Sequence, residues 1–160
     1  MPNWKHIVEA NHAWSHPNDE YRLVIQPPAS SADLAFLHTL FGSAMSEEMR
    51  GFYEQMDGFG VESVADGTYW FVTPIAKLPE LIEHCRNWFR DTHPDLANRF
   101  FPFIDWNCGD YSGFLLSVEK SPLDGLFTFE HEEYNFEKGQ DSSAFILSVY
   151  NTIEELLIPE

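Results

Sequence analysis

The chain has 160 residues, of which 26 are acidic and 9 are basic, so its formal net charge at pH 7 is −17. Such an excess of carboxylates repels a phosphate backbone and argues against direct nucleic-acid binding. It attracts basic proteins, although acidic composition can also serve solubility alone. Hydrophobic residues make up 44% of the sequence and aromatic residues 16%, which is too much apolar surface for a disordered segment.

The two cysteines, Cys85 and Cys108, stand outside any disulfide-rich pattern and fit a reducing compartment. No apolar run approaches the length of about 18 residues that a membrane helix needs. The first residues, Met1 to His6, lack the layout of a signal peptide. We therefore expect a cytoplasmic protein with no membrane association. Whether Cys108 is reactive stays open.

The first half of the chain alternates predicted helices with short strands. Ser30 or Ser31 is placed to cap one helix and Ser46 another, because a serine side chain accepts hydrogen bonds from free amides at a helix start. Gly58-Phe59-Gly60 begins like a dinucleotide fingerprint, but it follows a helix and lacks the third glycine, so we assign it to a loop. The predicted elements are a helix ending near residue 16, a strand at 21–25, helices at 31–41 and 46–56, a strand at 69–73 and a helix at 79–92.

The second half of the chain is mostly predicted β-structure. Strands at 99–104 and 111–118 flank turn residues at 107–110, and a further strand at 126–131 follows. Ser142 or Ser143 is placed to cap a last helix at 143–157. Helices first, then a strand meander and a closing helix, predict an α+β fold. We expect a single domain with a mostly antiparallel twisted sheet flanked by about four helices.

Five short motifs occur in a fixed order between Pro28 and Leu157. They are Pro28-Ala29-Ser30, the run Glu47 to Tyr53 followed by Asp57-Gly58, the run Phe101 to Trp106 followed by Gly109-Asp110-Tyr111, Gly125-Leu126-Phe127 followed by Glu130-His131-Glu132, and Ser142-Ser143-Ala144-Phe145. This set resembles the SUKH superfamily, small α+β proteins that include bacterial immunity proteins against polymorphic toxins and a fungal regulator of cell-wall synthesis. Met45-Ser46 replaces the usual Leu-Pro, and Glu130 replaces the usual aspartate.

The resemblance implies a SUKH-like domain at 28–160, on which an N-terminal segment at 1–27 packs. It also implies that the protein acts by binding and that the motif positions shape the fold without catalysing a reaction. The residues to which we give structural roles are Gly58, Gly109, Asp110, His131 and Ser143.

His131-Glu132-Glu133 invites a metal or acid–base interpretation. A helical zinc protease needs a second histidine where this chain has Asn135. His12 and His16, four residues apart, supply at best two ligands of a zinc site and fit an exposed helix face. We therefore expect no metal, no cofactor and no enzymatic activity. Instead, His131 is expected to bond to a nearby group such as Asp110 and to fasten two turns together.

The last thirty-five residues carry eight acidic residues and one basic residue, Lys138, with Tyr134 and Phe136 interleaved as candidate anchors. Such a run favours a contact surface for a basic protein, although it can also be only a solvated face. Trp106 lies at a predicted loop and is either an edge of the core or a binding anchor. The expected partner-binding residues are Asp105, Trp106, Glu130, Glu132, Glu133, Tyr134 and Glu137.

The leading functional hypothesis is an immunity protein that blocks the surface of a basic polymorphic toxin, with a nuclease as one candidate. A phosphate-binding surface is basic, so a protein that covers it needs clustered carboxylates of complementary charge. A regulatory or scaffold protein of a host pathway is the first alternative, and a small enzyme that uses His131 with nearby carboxylates is the second. The partner's identity, the surface that binds it and the oligomeric state stay open.

Overall fold

A computed structural model describes residues 1–159 and shows an α+β fold, in which six α-helices accompany one seven-stranded antiparallel sheet. The helices are α1 (Trp4–Ser15), α2 (Ser31–Phe41), α3 (Glu47–Gln55), α4 (Leu78–Phe89), α5 (Pro94–Ala97) and α6 (Ile153–Leu157). The strands are β1 (Arg22–Ile25), β2 (Phe59–Ser63), β3 (Gly67–Val72), β4 (Phe100–Asp105), β5 (Tyr111–Leu115), β6 (Leu126–Phe129) and β7 (Ile146–Tyr150).

The sheet is a meander, because its spatial order from β1 to β7 is also its order along the chain. Asp105 pairs with Tyr111, Tyr111 with Phe129 and Phe129 with Ile146, so these positions form one row across four strands. The segments 106–110 and 130–145 therefore leave the sheet at the same end. This register brings the predicted candidate residues of the second half of the chain into one region.

Helices α2 and α3 begin where the serine caps predicted. The Ser30 side chain accepts a hydrogen bond from the Asp33 amide, and the Asp33 carboxylate accepts one from the Ser30 amide in return. The Ser46 side chain accepts from the Met49 amide at 3.1 Å. Helix α6 has a similar cap, since the Thr152 hydroxyl accepts from the Glu155 amide at 2.9 Å. In addition, its first amides donate to the carboxylate of Glu48 on α3, Ile153 N at 2.9 Å and Glu154 N at 3.0 Å. This carboxylate joins the last helix to the middle of the chain.

Aromatic side chains fill the core between the sheet and its helices. Phe89 of α4 lies 5.3 Å from Phe129 of β6 between ring centroids, and Phe41 of α2 lies 5.7 Å from Phe101 of β4. At the N-terminus, Trp4 of α1 is fully buried and lies 5.4 Å from Phe52 of α3. Residues 1–27 thus contribute to the same core, and their strand β1 pairs with β2. The domain boundary at residue 28 stays a prediction.

The helix predicted at 143–157 is wrong over most of its length. Residues 142–144 form a 3-10 turn, β7 follows, and only the last five residues of the range are helical. Ser143 does not cap a helix: its amide and hydroxyl both donate to Asp141 Oδ1. The apolar positions fit a helical period, but β7 contains Ile, Val and Tyr, which suit a strand. Pairing with β6 decides the outcome.

The loop predicted at Gly58-Phe59-Gly60 is also wrong, since strand β2 begins at Phe59. A side chain at Gly60 would bring its Cβ within 2.1 Å of the Tyr69 carbonyl oxygen on β3. Glycine is present because the two strands approach closely there, and glycine inside a strand often marks such an approach. The neighbouring Gly58 has a positive φ of 86° before the strand, and a Cβ there would clash with the Val72 carbonyl.

Candidate functional site

The candidate site is the sheet end formed by residues 105–110 and 130–141, which we call the acidic end. It contains seven carboxylates and one lysine, Lys138; the carboxylates are Asp105, Asp110, Glu130, Glu132, Glu133, Glu137 and Asp141. Strands β4, β5 and β6 position these segments, because their ends lie in one row of the sheet. All seven expected partner-binding residues lie within these two segments.

His131 fastens the two segments of the acidic end together, as expected from the sequence. Its backbone amide donates to Asp110 Oδ1 at 3.0 Å, and its ring Nδ1 lies 2.6 Å from the same oxygen. Gly109, with φ of 103°, lets the ring pack closely, because a Cβ there would lie 2.8 Å from Nδ1. His131 and Asp110 are each other's partners, so Glu132 is free to face solvent.

Side-chain amides hold the 130–141 loop in one conformation. The Gln140 side chain donates to the Glu133 carbonyl at 2.7 Å and accepts from the Asn135 amide at 3.0 Å. The Asn135 side chain in turn accepts from the Glu137 amide at 2.9 Å. His93, beside α5, contacts the Gln140 carbonyl through Nε2 at 2.7 Å. The loop therefore presents its carboxylates from a fixed backbone.

Tyr134 does not lie on the surface, so the expectation that it anchors a partner needs correction. Its side chain is buried, its ring lies 4.9 Å from that of Phe145, and its hydroxyl is 2.5 Å from Thr92 Oγ1. A buried tyrosine with a satisfied hydroxyl is a core residue. It anchors the loop to the fold instead.

Phe136 is the aromatic side chain that the loop presents to solvent. It is 62% exposed, and its ring lies 4.5 Å from Tyr134 and 6.1 Å from Trp88. Its backbone φ of 64° lies in the left-handed region, which is uncommon for a bulky residue. The sequence carries no signal that distinguishes Phe136 from Tyr134, because the difference arises from this dihedral angle.

The carboxylates of the acidic end differ in their exposure. Glu132, Glu133 and Glu137 are exposed, whereas Glu130 is half-buried. Asp105 is also half-buried; burial raises its pKa above the ordinary value, although the Asn107 amide donates to it at 2.8 Å. The exposed glutamates are therefore the charges that an incoming protein meets.

Burial also affects Tyr111, which pairs with Asp105 across β4 and β5. It raises the pKa of the Tyr111 hydroxyl to about 12, and the charge of Asp105 adds to the effect. Tyr111 therefore stays neutral at physiological pH and adds no charge to the acidic end.

Trp106 lies at the boundary between the acidic end and strands β2 and β3. Its Nε1 donates to Ser112 Oγ at 2.8 Å, and that hydroxyl lies 2.7 Å from Thr128 Oγ1. Its ring lies 4.9 Å from Phe71 in an edge-to-face arrangement. Trp106 is half-buried and lines a groove over β2 and β3. Its packing against the core matches the interpretation as a core edge, and the role of binding anchor stays a prediction.

The residues that the structure describes contain no group of three or more His, Cys, Asp or Glu side chains that could hold a metal ion. Cys85 is buried, and burial raises the pKa of its thiol well above the ordinary value, which suppresses thiolate chemistry. Cys108 is exposed in the turn after β4. Across residues 1–159, no helix combines the length and the apolar character needed to cross a membrane.

His12 and His16 are less exposed than their sequence pattern predicts. Their rings stack with centroids 5.0 Å apart, and both Nδ1 atoms are buried without a hydrogen-bond partner among the described residues. Burial lowers the pKa of His12 below its ordinary value of 6.5, and His16 adds to the lowering. The folded protein therefore resists protonation of His12 more than the unfolded chain does.

We expect this resistance to appear as a loss of stability on acidification. Below about pH 7 the unfolded chain takes up a proton at His12 first, so the free energy of unfolding falls as the pH drops through 6.5; the loss is complete below the folded pKa. Chemical unfolding at pH values from about 7.5 to 5 should show a shallower pH dependence for His12→Gln than for the wild type. His6→Gln, exposed on the same helix, should follow the wild type. Equal slopes for all three proteins would contradict the prediction.

No protein-family model matches the chain, and no curated protein matches it. The resemblance to the SUKH superfamily therefore stays a prediction that depends on the five motifs.

Proposed function

We propose that this protein is a protein-binding module of the immunity type, which neutralises a basic protein by covering its surface at the acidic end. The observation that carries the proposal is Phe136, an exposed aromatic ring on a hydrogen-bonded loop that also carries the exposed residues Glu132, Glu133 and Glu137. A basic toxin domain is the proposed partner, and a nuclease is one candidate. The activity is binding, without catalysis.

The proposed mechanism combines electrostatic steering with an apolar anchor. Exposed carboxylates on Glu132, Glu133 and Glu137 attract a basic surface and raise the association rate, because the summed field acts before contact. Phe136 then loses its exposed surface to the partner, and a buried aromatic residue at an interface centre contributes much of the binding energy. The fixed loop lowers the ordering cost of association. A regulatory or scaffold protein would use the same contacts, so the partner's identity separates the two functions.

The test begins with affinity capture from the native host at low salt, followed by identification of a basic partner and of its gene. A toxin reading frame adjacent to this gene supports the immunity function, and a housekeeping partner supports the regulatory one. Association and dissociation rates are then measured by surface plasmon resonance. We expect the association rate to fall as salt rises, because screening acts over about 10 Å at 0.1 M ionic strength.

Two variants separate the two parts of the mechanism. The triple change Glu132→Gln, Glu133→Gln and Glu137→Gln should lower the association rate by roughly tenfold, whereas Phe136→Ala should raise the dissociation rate by roughly tenfold or more. A matched triple Gln variant at the exposed residues Glu9, Glu54 and Glu119 removes the same charge elsewhere. Equal rates for both triple variants, with unchanged circular dichroism spectra, would show that the contact surface lies outside the acidic end.

A further inference from the structure

A large open groove lies over the first strands of the sheet, away from Phe136. Its volume is ≈ 1430 Å³, and it is lined by parts of α1, β2, β3, β7 and α6. Phe59, Phe71 and Trp106 form its floor. The ring centroids of Phe59 and Phe71 are 5.7 Å apart, and those of Phe71 and Trp106 are 4.9 Å apart. The floor is rigid, since Trp106 also bonds to Ser112.

Exposed hydrophobic side chains gather around this groove. Trp14, Tyr69, Val149 and Ile158 are 62%, 41%, 47% and 49% exposed, and all four line it. They come from four separate elements or segments, so the fold brings them together. Single exposed hydrophobic residues are common on protein surfaces, whereas a contiguous set marks a binding surface.

The groove is lined by two glutamates and two histidines, His12 and His16. No lysine or arginine lines it, whereas Glu154 and Glu155 do. The Glu155 carboxylate accepts hydrogen bonds from Asn151, but the Glu154 carboxylate has no such bond within residues 1–159. The negative charges of Asp66 and Glu20 raise the pKa of the Tyr21 hydroxyl at the groove wall. A cationic group in the groove would therefore meet a free carboxylate and no competing lysine or arginine.

The size and edges of the groove favour a polypeptide ligand. Its volume exceeds the roughly 300–1,000 Å³ typical of small-molecule sites. Strand β7 is the last strand of the sheet, so one of its edges is unpaired by other strands of the described chain. Val149 and Tyr150 of that strand line the groove. A second copy of this chain is disfavoured as the occupant, because each copy carries a net charge of −17.

We propose that the groove binds an extended segment of a partner protein that combines an apolar side chain with a neighbouring lysine or arginine. The apolar side chain packs on the Phe71–Trp106 floor, and the cationic side chain pairs with Glu154. Backbone groups of the segment can pair with the free edge of β7, the mode by which many domains take up extended peptides. This site adjoins the acidic end at Trp106 and Asn107, does not include Phe136 or the loop at 130–141, and recognises a short linear motif.

The test is selection from a library of random twelve-residue peptides displayed on phage, with the full-length protein as bait. We expect enrichment of sequences that contain both an apolar residue and a lysine or arginine. A synthetic peptide of the enriched sequence is then titrated by isothermal calorimetry. Failure to enrich any sequence over the bare support would overturn the proposal, and so would enrichment of acidic or uncharged peptides.

The exposed residues Trp14 and Tyr69 and the half-buried Glu154 supply variants that should leave the fold intact. The double change Trp14→Ala and Tyr69→Ala should weaken peptide binding by at least roughly tenfold, and Glu154→Gln by roughly threefold to tenfold. Phe36→Ala removes an exposed aromatic ring that does not line the groove, and it should bind like the wild type. A loss in Phe36→Ala equal to that in the double variant would overturn the proposal.

Two further measurements distinguish peptide binding in the groove from binding at the acidic end and from self-association. Phe136→Ala should bind the peptide with unchanged affinity. Partner binding at the acidic end and peptide binding in the groove can therefore fail independently, and the two failures are distinguishable. Sedimentation equilibrium gives the oligomeric state. A dimer that the Trp14 and Tyr69 changes dissociate would identify the groove as a self-association surface and reject the peptide.

Discussion

Phe129→Ala is expected to lower the free energy of unfolding by about 3–5 kcal/mol, the range found when large buried aromatic side chains are truncated. Phe129 is fully buried on β6, and its ring lies 5.3 Å from Phe89 and 6.1 Å from both Tyr134 and Phe145. Removing it leaves a cavity among rings that cannot all move inward. Urea unfolding followed by tryptophan fluorescence measures the loss.

Phe136→Ala is the control for this change, because it removes the same side chain a few residues later from an exposed position. Its effect on unfolding should stay within about 0.5 kcal/mol. Together the two variants test whether the buried Phe129 ring stabilises the fold and the exposed Phe136 ring does not. A Phe129→Ala protein as stable as Phe136→Ala would contradict the packing described for β6.

Gly113→Ala is expected to have the second largest effect. A Cβ at Gly113 on β5 would lie 2.0 Å from the Phe101 carbonyl oxygen and 2.5 Å from Pro102 Cα on β4. Both atoms belong to backbone, so β4 and β5 would have to separate. We expect a loss of about 1–3 kcal/mol or more from this overpacking, measured by the same urea titration.

Gly139→Ala provides the matched control. No heavy atom lies within 4 Å of a Cβ added there, so the same methyl group should change the stability by less than about 0.5 kcal/mol. If Gly113→Ala and Gly139→Ala unfold at the same urea concentration, the close pairing of β4 with β5 is wrong.

Local signals in the sequence predicted the first four helices and the central strands well. Ser30 and Ser46 identify helix starts because a cap is a contact between residues three apart, which a short window contains. The pair His131 and Asp110 was also accessible, since each sits at a strand end whose hairpin connections place them side by side.

The remaining errors arise where distant residues decide the outcome. Apolar spacing in 145–156 fits a helix, but β6 supplies backbone partners for a strand. Tyr134 and Phe136 are both aromatic and stand two residues apart, yet only Tyr134 is buried, with its hydroxyl beside the half-buried Thr92. The groove could not be predicted either, because Trp14, Tyr69 and Ile158 are far apart in the chain.

The meander has a consequence for how the protein folds. The connections at 64–66, 106–110 and 116–125 are short, so these three strand pairs can form by closing small loops at a small entropic cost, whereas helices lie between β1 and β2 and between β3 and β4. The region around the groove is different: Asn11 donates to the Leu157 carbonyl across 146 residues, and Glu48 accepts from Ile153 across 105. Contacts of this kind require a large loop closure before they contribute. The pairs β2–β3, β4–β5 and β5–β6 can therefore form locally, whereas the groove is complete only when residues near the two ends of the chain meet.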